Sequence, residues 1–459
     1  MSLISKSKRK PVSTNSGMRS VVISLPKCCT SILEAQELIA IQLYNRALYL
    51  LRNNFFYHEH LSGKPVAFDV ESVKFPHKYP SFESVYHAIK DYEQYSILPS
   101  QVAQNLVKLA IEGLNSFKGL VKAKATGKLA KDTKIRLPMY KKVKDEDWNP
   151  FLKSKLRTVE MTYDRGNFVK KGCELSLTPS TLDGVKQSRI VFNLPKSFKD
   201  MIVNTVTIKR NGIGYLVHVA YRKEGFLTAL EGDRLIGVDL GVNNLATTIN
   251  AQTGESLLFD GRFLKSVNRY YNKKTALLKS KMDLEKEQTA KDKYFKRIQK
   301  TTVKRNRSVR DYMHKVARRI ARYAFKNNIN KVVVGYNEQW KTSVNMGSKT
   351  NQNFTNIPYR KLLDNLTDKC FELGISVITT EESYTSKVDH LALEPLCKQE
   401  AYLGKRKKRG LFQSSVNQLI NADVNGAIGI LRKCMPDSLI SEIRSSGRFF
   451  RPVKIQVYP

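Results

Sequence analysis

The chain has 459 residues, 41% of them apolar, enough for roughly two to four domains with real cores. Its 79 Lys and Arg against 41 Asp and Glu leave a formal charge of +38, which points to a polyanionic partner gripped largely through its phosphates. Six dispersed cysteines exclude a disulfide framework, no apolar run nears the ~18 residues that span a bilayer, and the basic start MSLISKSKRK runs into polar residues instead of a signal-peptide core; a cytoplasmic protein is expected, nucleoid-associated if the source is prokaryotic.

In chain order, residues 19–25, RSVVISL, read as a strand, and residues 32–53 carry apolar groups at helical spacing. Further helices are expected over 82–93 and, after the Pro99-Ser100 start signal, over 101–123, so that 30–125 forms a helical domain. The Lys-rich stretch KAKATGKLAKDTK then gives way to short alternating runs, RTVEMTY, CELSLT, RIVFNL and VNTVTIKRNGIGYLVHVAY, with Asn211-Gly212 as a tight hairpin. The first strand is expected to join these runs across the helical insertion, giving a β-barrel over 1–29 and 126–228. Aromatic residues of the amino-terminal half, among them Tyr79, Phe82, Tyr86, Tyr92, Phe117 and Tyr140, read as core, with some available to stack on bases.

From Leu235 the pattern changes. LIGVDL reads as a buried strand, LATTI and SLLFD as a meander, about 262–326 as a long charged helical stretch, and KVVVGY as a strand ending at Tyr336. A helix near 358–373, the strand ISVITT, a loop-rich segment over 383–418 and a last helix over about 419–433 complete a mixed α/β sheet. The whole is a multidomain α+β protein.

Three acids stand where strands end or a helix meets the sheet: Asp239 in LIGVDLGVNNLAT, Glu382 in VITTEESYTSK and Asp423 in INADVNGAIGIL. Carboxylates gathered from separate strands can hold two Mg²⁺ ions about 3.5–4 Å apart, the arrangement that stabilises the attacking and leaving oxygens of a phosphodiester. Taken singly, Asp239 also reads as a strand-end turn or as the DLG phosphate loop of an actin-like ATPase, and Asp423 as a helix-capping acid. Between 301 and 325, Lys304, Arg305, Arg307, Arg310, Lys315, Arg318, Arg319 and Arg322 face only Asp311, which reads as a phosphate track on a helix. Lys405, Arg406, Lys407, Lys408 and Arg409 form a second basic run, expected to grip a nucleic-acid strand; His314 receives no catalytic role.

The ordered set GVDLGVNNLAT, KRNRSVRDYMHKVARRIARYA, VVVGYNEQWK, NMGSKTNQNFTNIPYRKLL, EESYTSK, GKRKKRGLF and NADVNGAIGIL, about 220 residues, resembles TnpB, the transposon-encoded RNA-guided DNA nuclease family related to type V CRISPR effectors and Fanzor proteins. The resemblance implies a wedge barrel with an inserted recognition domain, then a RuvC nuclease domain of ribonuclease H-like fold with a long helical insertion, over 229–382 and 419–459, interrupted by a target-nucleic-acid-binding insertion over 383–418. It also implies a guide RNA transcribed from a mobile element, a double-stranded DNA target beside a short adjacent motif, and two Mg²⁺, replaceable by Mn²⁺, held by Asp239, Glu382 and Asp423.

Two departures from the family pattern stand out. Many members end the VVVGYN strand with the middle catalytic Glu, where this chain has Gly335; the subset with Glu beside the TSK element favours Glu382 over Glu338, which reads as part of a post-strand turn. The two CxxC pairs of a zinc ribbon are also missing: 383–418 holds only Cys397 and His390, too few for a structural zinc. That segment is expected to be held by Leu391, Leu393, Leu396 and Phe412, with Cys397 as a small core residue. The expected function is RNA-guided DNA endonuclease, with a nuclease-dead RNA-guided repressor as the alternative that Gly335 raises.

Overall fold

The structure, a computed structural model, describes residues 15–25, 29–72, 75–130, 132–141, 158–182, 184–211, 214–227, 232–337 and 357–458. The chain divides into two compact units, Gly17–Lys223 and Met1–Ser16 with Glu224–Pro459.

In the first unit, strand β1 (Asn15–Ser24) leads into helices α1 (Thr30–Leu61), α2 (Phe82–Ile89), α3 (Glu93–Ile97) and α4 (Ser100–Ala125). The stretch expected as one helix over 82–93 is thus broken after Ile89, with Ser81 capping the first piece through the Ser84 amide. Seven strands follow: β2 (Met161–Asp164), β3 (Phe168–Lys171), β4 (Glu174–Leu177), β5 (Thr181–Leu182), β6 (Val185–Lys186), β7 (Val191–Asn193) and β8 (Ile202–Arg210), which pairs with β9 (Tyr215–Phe226). Among the described residues the ladders form separate sheets, β1-β9-β8-β2, β3-β4-β7 and β5-β6. The β8–β9 hairpin is present, and Gly212 of its turn lies outside the described residues.

The second unit is built on a six-stranded sheet of order β14-β13-β10-β11-β12-β18. Strands β10 (Leu235–Leu240), β11 (Asn244–Asn250) and β12 (Ser256–Asp260) form the antiparallel meander, α5 (Arg262–Leu284) and α6 (Gln288–Lys326) make a helical hairpin, and β13 (Lys331–Gly335) returns parallel to β10. Helix α7 (Tyr359–Glu372) and β14 (Ser376–Thr380) follow, then β15 (Lys405–Lys408), β16 (Leu411–Gln413), β17 (Leu419–Asn421), α8 (Ala422–Arg432), α9 (Ser438–Ser446) and β18 (Val453–Ile455). Residues 419–421, expected as helix, are strand: β17 pairs with β16, so the hairpin feeds straight into α8.

Strand alternation sends Ile236, Val238, Val332 and Val334 to one face, where they pack with α6 residues Tyr312, Met313, Val316 and Ile320. Leu235 and Val333 face the other way, onto Ala427, Ile428 and Leu431 of α8. Near-continuous apolar runs suit strands covered on both sides. The same period puts Asp239 and Gly335 on the α8 face.

Candidate active site

The parallel register pairs Val238 with Val334, and Gly335 with Thr380, so the ends of β10, β13 and β14 lie side by side. Asp239 sits at the first of these ends and Glu382 two residues beyond the last. A Cβ added to Gly426 of α8 would lie 3.1 Å from Asp239 Oδ2, which measures how closely the helix approaches that carboxylate.

Gly335 makes room for Glu382. A Cβ at 335 would stand 2.9 Å from both Glu382 Cγ and Oε1, and 2.0 Å from Ile430 Cδ1. The Glu382 side chain and Ile430 of α8 therefore share the space above the strand end that a side chain at 335 would need. Glu338 lies outside the described residues.

The turn bearing Glu382 is pinned by Thr385, whose amide (3.3 Å) and hydroxyl (2.9 Å) both donate to Glu382 O, while Lys433 Nζ donates to Glu381 O at 2.7 Å. Asp423 is released from capping duty. Asn421 caps α8 instead, its Oδ1 accepting from the Asp423 amide at 2.9 Å and the Val424 amide at 3.3 Å. Asp423 Oδ2 accepts from Asn244 Nδ2 at 2.7 Å, and Arg406 Nη2 stands 4.0 Å from Oδ1.

Electrostatically the acids feel one another. Burial, then the charges of Glu382 and Asp423, hold the Asp239 carboxyl well above the usual range, with Arg406 partly offsetting them. Burial pushes Glu382 up to about 7 against the pull of Lys433, and its Oε1 is buried without a hydrogen-bond partner. Sequence reasoning missed Tyr359, whose hydroxyl donates to Gly241 O at 3.0 Å and whose ionisation is suppressed by burial and by both Glu382 and Asp239. It missed Asn244 too. Both contacts join residues more than a hundred positions apart and exist only in the folded chain.

As they stand, no three His, Cys, Asp or Glu side chains among the described residues are gathered tightly enough to hold a cation. The donor set nonetheless fits a divalent one: half-buried carboxylates, one raised by the charges of the other two and one with an orphaned buried oxygen, are groups that a hard cation would stabilise.

The basic residues separate into two kinds. Lys304, Arg307, Arg318, Arg319 and Arg322 are exposed on α6, as are Lys405, Arg406, Lys407, Lys408 and Arg409 on and beside β15. Arg310 is half-buried, and two members of the expected track have protein partners. Arg305 Nε donates to Asn268 of α5 at 2.8 Å, and Lys315 pairs with Asp311 at 2.9 Å while standing 4.1 Å from the Tyr458 ring centroid. Arg305 is therefore a hairpin-packing residue, and Lys315 is tied to the C-terminal segment.

The segment over 383–418 departs from expectation in what holds it. Leu391 and Phe412 are buried, but Leu393 is exposed, Leu396 is half-buried, and Cys397 is a surface residue instead of a core one. A buried polar network does the remaining work. Ser414 Oγ lies 2.8 Å from both Asp389 oxygens, the Ser415 amide and hydroxyl donate to Asp389 Oδ2 at 2.6 and 2.9 Å, and the Asp389 and Leu403 amides donate to Glu394 at 2.7 and 2.8 Å. His390 Nε2 lies 2.8 Å from Thr385 O and its Nδ1 3.2 Å from Arg432 Nη1. A carbonyl only accepts and a guanidinium only donates, so the ring is neutral with its proton on Nε2. Burial, chiefly, depresses it to about 4. Arg432 also donates to Glu394 O at 2.8 Å and pairs with Asp437 at 2.9 Å.

The family model OrfB_IS605, described as "Probable transposase", matches residues 218–341. The TnpB-like protein ORF457 of Acidianus two-tailed virus is 24% identical over 236 residues, 50% of this chain and 48% of the viral protein, so the match spans about half the length of that curated relative. Among solved structures, that of the Cas12f1-sgRNA-target DNA complex aligns at a TM-score of 0.57 and 15% identity, covering 88% of this chain and 83% of that one, a likeness of fold. The mini-RNA-guided endonuclease CRISPR-Cas_phi3 aligns at a TM-score of 0.44 and 11% identity, over 91% and 92% of the two chains. Over the matched residues, then, the chain is similar to that transposase family and to the viral TnpB-like protein.

Proposed function

We propose that this chain is an RNA-guided DNA endonuclease of a mobile element, hydrolysing phosphodiesters at a RuvC-type site formed by Asp239, Glu382 and Asp423. One observation carries the reading: the Glu382 carboxylate fills the space over Gly335, beside Asp239, with an oxygen left unsatisfied. A nuclease-dead descendant has no reason to keep an acid there, because a buried carboxylate oxygen without a donor costs stability.

Asp239, Glu382 and Asp423 would hold two Mg²⁺ ions, or Mn²⁺ in their place, and such ions, when bound, stabilise charge on the attacking and leaving oxygens. The remaining roles belong to the protein. Lys433 favours the ionised form of Glu382, and Asn244 orients Asp423 by holding one of its oxygens. Arg406, exposed beside Asp423, is placed to meet a phosphate, and the exposed cations of α6 and β15 supply salt-sensitive backbone contacts. Water is the nucleophile. Target sequence is read by base pairing to the guide RNA, and a short motif beside the target by the protein.

The test is guide-programmed cleavage with the RNA that copurifies with the chain. Glu382→Gln, Asp239→Ala and Asp423→Ala should abolish cutting while target binding persists, and Glu338→Gln should cut normally. Normal cutting by Glu382→Gln together with a dead Glu338→Gln overturns the assignment. An unmodified protein that binds its target but never cuts with Mg²⁺ or Mn²⁺ is the nuclease-dead repressor.

A further inference from the structure

A cleft of about 390 Å³ opens on the first unit, lined by Gln42, Asn45, Arg46, Tyr49 and Tyr140. Its volume falls within the range of small-ligand sites. Four of the five residues come from α1 at spacings of three, four and seven, which places them on one face of that helix. The fifth is brought from outside. Asn45 clamps the Lys141 backbone at both ends, its Nδ2 donating to the carbonyl at 2.6 Å and its Oδ1 accepting from the amide at 2.7 Å, while Arg52 Nη1 donates to Pro138 O at 3.0 Å. These three bonds strap the Tyr140 ring against α1, with the Arg52 guanidinium 4.9 Å from its centroid.

The other walls are fixed as well. Arg46 Nη2 donates to Tyr92 Oη at 2.5 Å and its guanidinium stands 4.5 Å from the Tyr92 ring and 5.7 Å from the Tyr49 ring. Tyr49 in turn donates to Asp69 Oδ2 at 2.7 Å. Most aromatics of this unit are used differently: Tyr79, Phe82, Tyr86, Tyr92 and Phe117 pack on the hydrophobic core, whereas Tyr140 is 37% exposed and lines the cleft.

Phenol rings and a guanidinium plane supply flat π surfaces, and the exposed Gln42 amide supplies a donor and an acceptor at the rim. Together they match a planar ring with a hydrogen-bonding edge. A phosphate site would gather several cations, but among the described residues the lining holds one, Arg46, and its guanidinium is engaged with Tyr92. We propose that this cleft takes an unstacked nucleobase from a single-stranded stretch of RNA. RNA is the natural source because its loops and bulges present splayed bases, whereas duplex bases remain stacked and out of reach. The proposal rests on the reading of the chain as an RNA-binding protein.

The test uses the full chain, freed of copurifying RNA by nuclease and high salt, and measures binding of 12-nucleotide oligo(A) and oligo(U) RNA, the same lengths of oligo(dA), and a blunt RNA duplex. Tyr140→Leu should weaken single-stranded RNA about fivefold or more, as expected when one stacking platform is lost, while Tyr140→Phe stays within about twofold. Gln42→Ala, at an exposed helix position where folding is not at stake, should weaken one of the two RNA homopolymers more than the other. Duplex binding and the salt slope should not change, because no phosphate contact is removed. Wild-type binding by Tyr140→Leu and Gln42→Ala overturns the proposal, as does an equal loss on duplex RNA. A loss confined to oligo(dA) makes the base a DNA base and overturns the RNA assignment. A wild-type chain that binds none of the four probes removes the RNA-binding reading itself, a distinct result.

Discussion

Two clusters of acids, one buried and one half-buried, lie within the same unit and share α8 as a wall, yet they are treated in opposite ways. Around Asp389 and Glu394 the donors converge: Ser414, Ser415 and backbone amides fill the carboxylate oxygens, and Arg432 spans to Glu394 O and Asp437. Around Asp239 the leading charged influences are the other two carboxylates, and Glu382 Oε1 has no donor. The first cluster is complete as a folded object; the second leaves a carboxylate oxygen without a donor. Buried charge that is fully hydrogen-bonded holds a structure together, whereas buried charge left short is a reservoir for binding a cation.

Removing one charge from each cluster should therefore have opposite signs. The largest effect expected is on chemistry: Glu382→Gln lowers guide-programmed cleavage by about a hundredfold or more while leaving RNA retention intact. Single-turnover assays check it. Next comes Asp389→Ala, which strands several donors and should destabilise the second unit by about 3 kcal/mol, read as lost hydrogen-exchange protection across 385–418.

Glu382→Gln should stabilise the same unit at pH 8 in the absence of divalent cations, by up to about 3 kcal/mol. The sign follows from proton uptake. With its folded pKa raised to about 7 from 4.5, the acid binds more protons folded than unfolded, so unmodified protein loses stability as pH rises between those values and stays at the lower level above 7. Removing the ionisable group abolishes that loss. Thermal unfolding of both proteins at pH 5 and pH 8 decides it, and equal melting at pH 8 would remove the claim that this carboxylate is unsatisfied.

The same titration sets the cleavage profile. A proton on Glu382 competes with a cation, so cutting should rise about tenfold between pH 6 and pH 8, and more steeply if Asp239 titrates in the same window. The smallest effect concerns zinc. Because 383–418 lacks CxxC pairs and its interior holds hydrogen-bonded side chains, a zinc chelator should leave the melting point unchanged. One stoichiometric zinc per chain on metal analysis would contradict this.

Much of the frame was legible because it depends on local pattern. Apolar runs marked β10 and β13, and helical spacing marked α1, α4 and α6, since a segment that buries one or both faces must carry that burial in its own residues. The resemblance to one family singled out Asp239, Glu382 and Asp423 by their neighbours in the chain. What the polar side chains do could not be read this way. His390, Asp389 and Glu394 look like surface residues in the sequence, and Leu393 and Cys397 look like core, yet their burial is the reverse. Arg305 looked like unopposed charge, and only the packing of α6 against α5 supplied its Asn268 partner, whereas Lys315 pairs with Asp311 on its own helix and meets the Tyr458 ring only through the fold.

The sequence by itself determined which segments could be strands and helices, the positive charge, and the presence of acids at strand ends. Tertiary structure decided that Gly335 is a vacancy filled by Glu382, because that depends on the parallel register of β13 with β14 and on how closely Ile430 of α8 approaches. It also decided which carboxylates are satisfied and which are not. Hydrophobic periodicity is written along the chain, but a hydrogen-bond partner thirty-eight residues away, as Glu394 O is from Arg432, is specified only when the chain has folded.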